Sequence, residues 1–186
     1  DVLVVVDEAY HEYGVPLGLP DASRWLDRYP NLVVSRTFSK AYGIAGIRIG
    51  YCLSSPGVAD LLNRLRQPFN VNSLALAGAE AALADQAFIE SSVRANTEGL
   101  QTLSAGLAEL GFTCPPSAGN FVLVDLGRPA GPCYEALLRR GVIVRPVGNY
   151  GLPYHLRITI GTQEQNRRLL EALREVQSSL DSDESP

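Results

Sequence analysis

The sequence predicts an α/β fold: a first part in which strands and helices alternate about a mostly parallel sheet, joined by a long helix to a smaller α+β unit. Three observations predict it. The run Val2–Val6 is continuously aliphatic and β-branched rather than alternating, the pattern of a parallel strand covered on both faces. Short strands then alternate with helical spacings through residue 84. Beyond that point a long amphipathic run leads into a second set of strands and helices. The expected division is residues 1–84 for the large domain, 85–180 for the interdomain helix and small domain, and 181–186 for a disordered acidic tail, DSDESP.

Each element has its own signal. After Val2–Val6, polar groups emerge in Asp7-Glu8-Ala9-Tyr10. Residues 11–30 carry Gly14, Pro16, Gly18, Pro20 and Pro30, so they read as loop with a short helix near Ala22–Tyr29. Leu32–Ser35 is a second strand, and Ile47–Leu53 a third, after the glycines Gly43 and Gly46. Val58, Leu61, Leu62 and Leu65 recur at helical spacing over residues 57–66, before Pro68 breaks the pattern. Ser73–Ala84 is rich in Ala and Leu and reads as a buried helix. Gln86–Leu110 is a long amphipathic helix with Gly111 as its C-cap. Phe121–Leu126, Val142–Arg145 and Leu156–Ile160 then read as strands, and Pro132–Arg140 and Glu164–Ser179 as helices.

Composition narrows the function. The formal charge of −4 is spread along the chain, which argues against nucleic acid or an anionic membrane as a partner. No stretch is apolar enough to span a bilayer. The three cysteines are far apart, odd in number and without metal-ligand spacing, so a reducing cytoplasm fits best. His11 and His155 lack a metal partner set, and no metal site is expected. Cys52 reads as a small hydrophobe in a buried strand, and Asn120 as a turn residue. The chain has no methionine and opens in mid-strand, so it is expected to be a piece of something longer.

The chemistry centres on Lys40, the one lysine beside fifteen arginines. It follows a strand and sits in SRTFSKAYGIAGIRIGY. Active sites of open α/β sheets form beyond the carboxyl ends of their strands, which is where Asp7 and Lys40 fall. A carboxylate (Asp7), a phenol (Tyr10), an amine (Lys40) and a guanidinium (Arg48) are the groups a pyridoxal phosphate site needs. The amine condenses with the cofactor aldehyde, and the carboxylate keeps the pyridine nitrogen protonated. The phenol donates to the 3-oxygen, and the guanidinium pairs with the phosphate in a bidentate way that lysine cannot copy. Thr37 and Ser39 add hydroxyls near the phosphate. Asp7 and Glu8 are adjacent on a strand and point to opposite faces, which speaks against a hydrolytic carboxylate pair.

The stretches VVVDEAYHEYG, SRTFSKAYGIAGIRIGY, RQPFNVNSLALAGAEAAL, GNFVLVDLG and RRGVIVRPVGNYGLPYHLRITIGTQEQN, in this order, span residues 2–166. On them the chain resembles the C-terminal half of the fold-type-I PLP-dependent aminotransferases, and within that class the histidinol-phosphate aminotransferase family. The resemblance implies that Arg157, in LRITIG, takes the anionic end of the substrate, with Arg145 as a second arginine nearby. It implies ping-pong transamination between glutamate/2-oxoglutarate and histidinol phosphate/imidazole-acetol phosphate, in a homodimer. It also implies that the glycine-rich phosphate loop, the aromatic stacked on the pyridine ring and an asparagine near the 3-oxygen precede Asp1. The chain alone would then hold half a cofactor site and leave an exposed sheet edge.

Three other readings share the same residues. An aromatic aminotransferase or a phospho-amino-acid decarboxylase would use Asp7, Tyr10, Lys40 and Arg48 alike. RQPFNVNSLA and VRPVGNYGLP tilt the choice to histidinol phosphate. An aminotransferase-like sensor fused to a DNA-binding domain is the third, and no helix-turn-helix pattern supports it.

Overall fold

The aliphatic run at the start of the chain forms β1 (Val4–Asp7), which pairs in parallel with β2 (Leu32–Thr37). β3 (Gly50–Ser54) pairs antiparallel on the far side of β2, giving the order β1-β2-β3. The computed structural model describes residues 2–183, and these strands lie in the first of its two units, Asp1–Val93 and Arg94–Pro186.

β2 is the buried strand: Leu32, Val33 and Val34 are all enclosed. β1 is not covered as its composition predicts. Val4 is 44% exposed and Val5 61% exposed, because β1 is a sheet edge and no described element covers it. Residues 11–30 form α1 (His11–Gly14) and two 3-10 turns, Val15–Leu17 and Ala22–Trp25. The second turn replaces the expected helix to Tyr29, and the Asp21 side chain caps it by accepting from Ser23 N.

α2 (Pro56–Leu65) opens on a proline at N1, where the missing N–H costs nothing. α3 (Ser73–Ala84) starts at Asn72, whose side chain accepts from Ala75 N at 2.8 Å. The extent of α3 is as expected, but its burial is not. Only its small face is enclosed, through Ala75 and Ala79, while Leu74, Leu76 and Leu83 are exposed. A uniformly apolar helix leaves the sequence with no polar face to mark which side meets solvent.

α4 (Gln86–Glu109) carries the chain from the first unit into the second. It ends at Gly111, whose φ of +81° suits glycine, while Phe112 N donates to Leu107 O at 3.0 Å. The second unit holds β4 (Phe121–Asp125), α5 (Ala130–Arg139), β5 (Arg145–Val147), β6 (Leu152–Thr159) and α6 (Gln163–Asp183). Its antiparallel sheet has the order β4-β6-β5. Val122, Val124, Leu156 and Ile158 point to one face, where Leu103 and Leu107 of α4, Leu137 of α5 and Leu173 of α6 bury them.

Two strand boundaries differ from the sequence reading. β5 begins at Arg145 rather than Val142, after a turn at Gly141 with φ of +72°. It runs through Pro146, tolerated because β5 is an edge strand with an irregular register at that point. β6 starts four residues earlier than expected, at Leu152, since Pro153 disguises its first turnward residues. α6 extends through Asp183, so the acidic tail begins as helix; residues 184–186 lie outside the described residues.

Candidate active site

β2 ends at Thr37, opposite Gly50 at the start of β3. A Cβ on Gly50 would sit 2.7 Å from the Arg36 carbonyl oxygen, so the close crossing requires glycine there. Residues 38–49 therefore leave and rejoin the sheet at the carboxyl end of β2. Phe38 N donates to Ile49 O and Ile44 N to Phe38 O, both at 3.2 Å, which closes the excursion. It bears both Lys40 and Arg48. The third strand is expected from Ile47, but Ile47 ends the 3-10 turn Ala45–Ile47, and Arg48, at φ of +55°, delays β3 to Gly50.

Asp7 ends β1 directly beside Ser35 of β2. Its Oδ1 accepts from Ala9 N and from Ser35 Oγ, each at 3.1 Å. The chain then turns: His11 N donates to Glu8 O at 3.0 Å, with Tyr10 third in the turn. The Lys40 ammonium lies 5.2 Å from the centre of the Tyr10 ring. Thr37 Oγ1 accepts from Ser39 N at 3.1 Å, so the two hydroxyl residues shape the approach to Lys40. Arg48 is exposed, and its Nη1 donates to Ala45 O at 2.8 Å. Asp7, Tyr10, Thr37, Ser39, Lys40 and Arg48 thus lie at one end of one sheet, beyond the carboxyl ends of β1 and β2.

Sequence reasoning passed over a network beneath that end. Glu8 turns to the face opposite Asp7, where its Oε2 accepts from Arg36 Nε at 2.9 Å and Nη2 at 2.8 Å. Arg36 Nη2 also donates to Asp21 Oδ1 at 2.6 Å. Glu8, His11 and Asp21 bring potential ligand atoms within 4.8 Å of one another, but the Arg36 guanidinium bonds both carboxylates and takes the place of a cation. The hydrogen bond from Ser23 holds the Asp21 carboxyl below its usual range, and the Arg36 charge acts the same way. Burial, with Glu12 nearby, pushes the Tyr42 phenol up to about 12. Tyr42 packs on Phe38 at 4.8 Å between ring centres, and Phe38 on Tyr51 at 5.6 Å.

The second unit brings Arg145 and Arg157 directly opposite each other on β5 and β6, so both side chains leave the same face of the sheet. That face is the one turned away from the core. The Arg157 guanidinium lies 4.9 Å from the centre of the Phe121 ring, and its buried Nε has no hydrogen-bond partner among the described residues. Two guanidinium groups on facing positions suit an anion. His155, on the same face of β6, lies 3.9 Å from Asp125. Asn120 uses its backbone, its carbonyl accepting from Ile160 N at 2.9 Å. Cys52 is exposed on β3 rather than buried, since β3 is the other edge of its sheet. Cys133 is buried in the second unit, and burial raises the Cys133 and Cys114 thiols.

Residues 1–173 match the family described as aminotransferase class I and II. The chain is 61% identical over 175 residues to a protein named histidinol-phosphate aminotransferase 2 from Pseudomonas fluorescens, covering 94% of this chain and 47% of that protein. It is 60% identical over 164 residues to a protein of the same name from Methylococcus capsulatus, covering 88% of this chain and 44% of that protein. Among solved structures, histidinol-phosphate aminotransferase from Sinorhizobium meliloti, in complex with pyridoxal-5'-phosphate, superposes with a TM-score of 0.87 at 37% identity, covering 96% of this chain and 50% of that one. The chain thus spans about half the length of the curated relatives it matches.

Proposed function

The chain belongs to the class I and II aminotransferases, and from that premise we propose that its protein transfers an amino group between glutamate/2-oxoglutarate and histidinol phosphate/imidazole-acetol phosphate, using pyridoxal 5'-phosphate. The observation that carries this reading is the sheet end where the Lys40 amine stands 5.2 Å from the Tyr10 ring, beside Asp7 at the end of β1. The donor set fits the cofactor. Both described bonds to Asp7 end on Oδ1, which leaves Oδ2 for a pyridinium N–H. The exposed Arg48 guanidinium suits a phosphate.

When bound, pyridoxal phosphate supplies a protonated ring that draws off the electron pair left at the substrate α-carbon. Lys40 would hold the cofactor covalently through its amine and, when that amine is free, would serve as the base that takes the proton from the substrate α-carbon. Asp7 keeps the ring nitrogen protonated. Tyr10 donates to the 3-oxygen, and Thr37 and Ser39 offer hydroxyls toward the phosphate.

Arg157 and Arg145 take the anionic ends of the substrates, a phosphate ester in one half-reaction and a dicarboxylic acid in the other. The names of the relatives favour histidinol phosphate over an aromatic substrate or a phospho-amino acid that is decarboxylated. No helix among the described residues is long and apolar enough to cross a membrane. A cytoplasmic homodimer completes the proposal.

Steady-state turnover with glutamate and a panel of acceptors tests it. The expected result is that imidazole-acetol phosphate gives the highest kcat/KM. Preference for an aromatic keto acid, or release of carbon dioxide from a phosphorylated amino acid, would contradict it. Gel filtration of the active species tests the dimer.

A further inference from the structure

We propose that Arg36 is a positioning residue for the cofactor site, holding the turn that carries Tyr10 and the loop that carries Lys40 in one arrangement. This rests on the pyridoxal phosphate reading above, and it concerns a residue outside the donor set.

Arg36 reaches in two directions. Toward β1 it bonds Glu8 through Nε and Nη2, at 2.9 and 2.8 Å, and Asp21 through Nη2 at 2.6 Å. The other Glu8 oxygen accepts from Ala22 N at 2.8 Å. The Arg36 and Glu8 side chains are only 12% and 9% exposed. A buried carboxylate with this many donors has little freedom to move. Glu8 is also the first residue of the turn to His11, and its own N–H donates to Ser35 O at 2.8 Å. Fixing Glu8 therefore fixes Asp7, immediately before it, and Tyr10, two residues after it.

Toward β3, Arg36 stands directly opposite Tyr51, so the two side chains leave the same face of the sheet as neighbours. The Tyr51 ring packs on Phe38, and Phe38 packs on Tyr42. Lys40 lies between those two aromatics in the chain. One guanidinium thus joins the supports of the phenol and of the amine. Bonds from Nε and Nη2 to Glu8 and Asp21 require a planar fork with several donors, which a lysine ammonium on a flexible stem does not match. Arg36 acts through Glu8 and Tyr51, and the groups assigned to the cofactor are their neighbours.

The alternative is that the Glu8–Arg36–Asp21 cluster adds stability and nothing else. The experiment titrates pyridoxal phosphate into wild-type protein and into Arg36→Gln, Arg36→Lys, Glu8→Gln and Val34→Ala. It reads the cofactor Kd, the pH at which the bound cofactor's absorption changes, and the Tm of the cofactor-free protein. Val34 is a buried residue of the same strand that makes no side-chain hydrogen bond to the network, and its truncation is the control for lost stability.

The expected result is a Kd raised at least about tenfold in Arg36→Gln and Glu8→Gln, since displacement of reacting groups by about 1 Å is costly. The pH midpoint should move with it, and Arg36→Lys should recover part of both. Val34→Ala should lower Tm with Kd and midpoint unchanged. Wild-type Kd and midpoint in Glu8→Gln and Arg36→Lys, whatever their Tm, would overturn the proposal, and these two decide if Arg36→Gln does not fold. Wild-type protein that takes up no cofactor would overturn the underlying reading, and this proposal with it.

Discussion

The Lys40 ammonium stands 5.2 Å from the centre of the Tyr10 ring, so the amine is held over the negative face of an aromatic. The contact joins the excursion after β2 to the turn after β1. Tyr10 would then have two separable functions, a ring face for Lys40 and a hydroxyl for the cofactor. Tyr10→Phe keeps the first and removes the second. Its kcat is expected to fall by about 10-fold to 100-fold, one donor's share or less, with Tm within about a degree of wild type. Tyr10→Ala removes both and should also weaken cofactor retention. Equal kinetics for Phe and Ala would show that the ring face contributes nothing.

Arg145 and Arg157 oppose each other across β5 and β6, an arrangement of like charges that costs stability. Arg145→Ala is therefore expected to leave Tm unchanged or raise it slightly while raising KM for the phosphorylated substrate. Arg157→Ala should cost about 10² or more in kcat/KM, and Arg157→Lys should not restore it, because a bidentate contact is lost in both. Thermal melts alongside steady-state kinetics check the pair. A lower Tm in Arg145→Ala with unchanged KM would assign that arginine to structure.

Tyr42 gives the first unit an alkaline limit. Its phenol is held up to about 12 by burial, with Glu12 adding to the effect. A folded-state pKa above the unfolded value, about 10 for tyrosine, means stability that is complete below pH 10 and lost as pH rises toward 12. Tyr42→Phe should flatten Tm between pH 10 and 12 relative to wild type. Parallel Tm–pH curves for the two proteins would remove Tyr42 as the cause.

The gathering of the candidate residues at one end of the sheet was legible because they are chemically unusual and ordered along the chain. Asp7, Tyr10, Lys40 and Arg48 each follow or precede a strand signal, and parallel pairing of β1 with β2 gathers them at one end. Arg36 was not legible in the same way. Its meaning depends on the register that sets Asp7 beside Ser35, and hence Glu8 near Arg36, and register is a property of the sheet. Exposure was the other gap. The valines of β1 and the leucines of α3 declare a preference for burial, but sequence does not say which surface covers them. β5 was misplaced because Val142–Val144 looks more strand-like than Arg145–Val147, while the turn at Gly141 and pairing with β6 fix the true boundary.

The most direct test of the central claim is covalent capture of the cofactor. The protein is incubated with pyridoxal phosphate, reduced with borohydride, digested, and mapped by mass spectrometry. Lys40 is the single lysine of these 186 residues, and the peptide map separates it from any lysine elsewhere in the full-length protein. The account predicts saturable labelling on the peptide that contains Lys40, abolished by Lys40→Ala. Absence of label at Lys40 under saturating cofactor would contradict it.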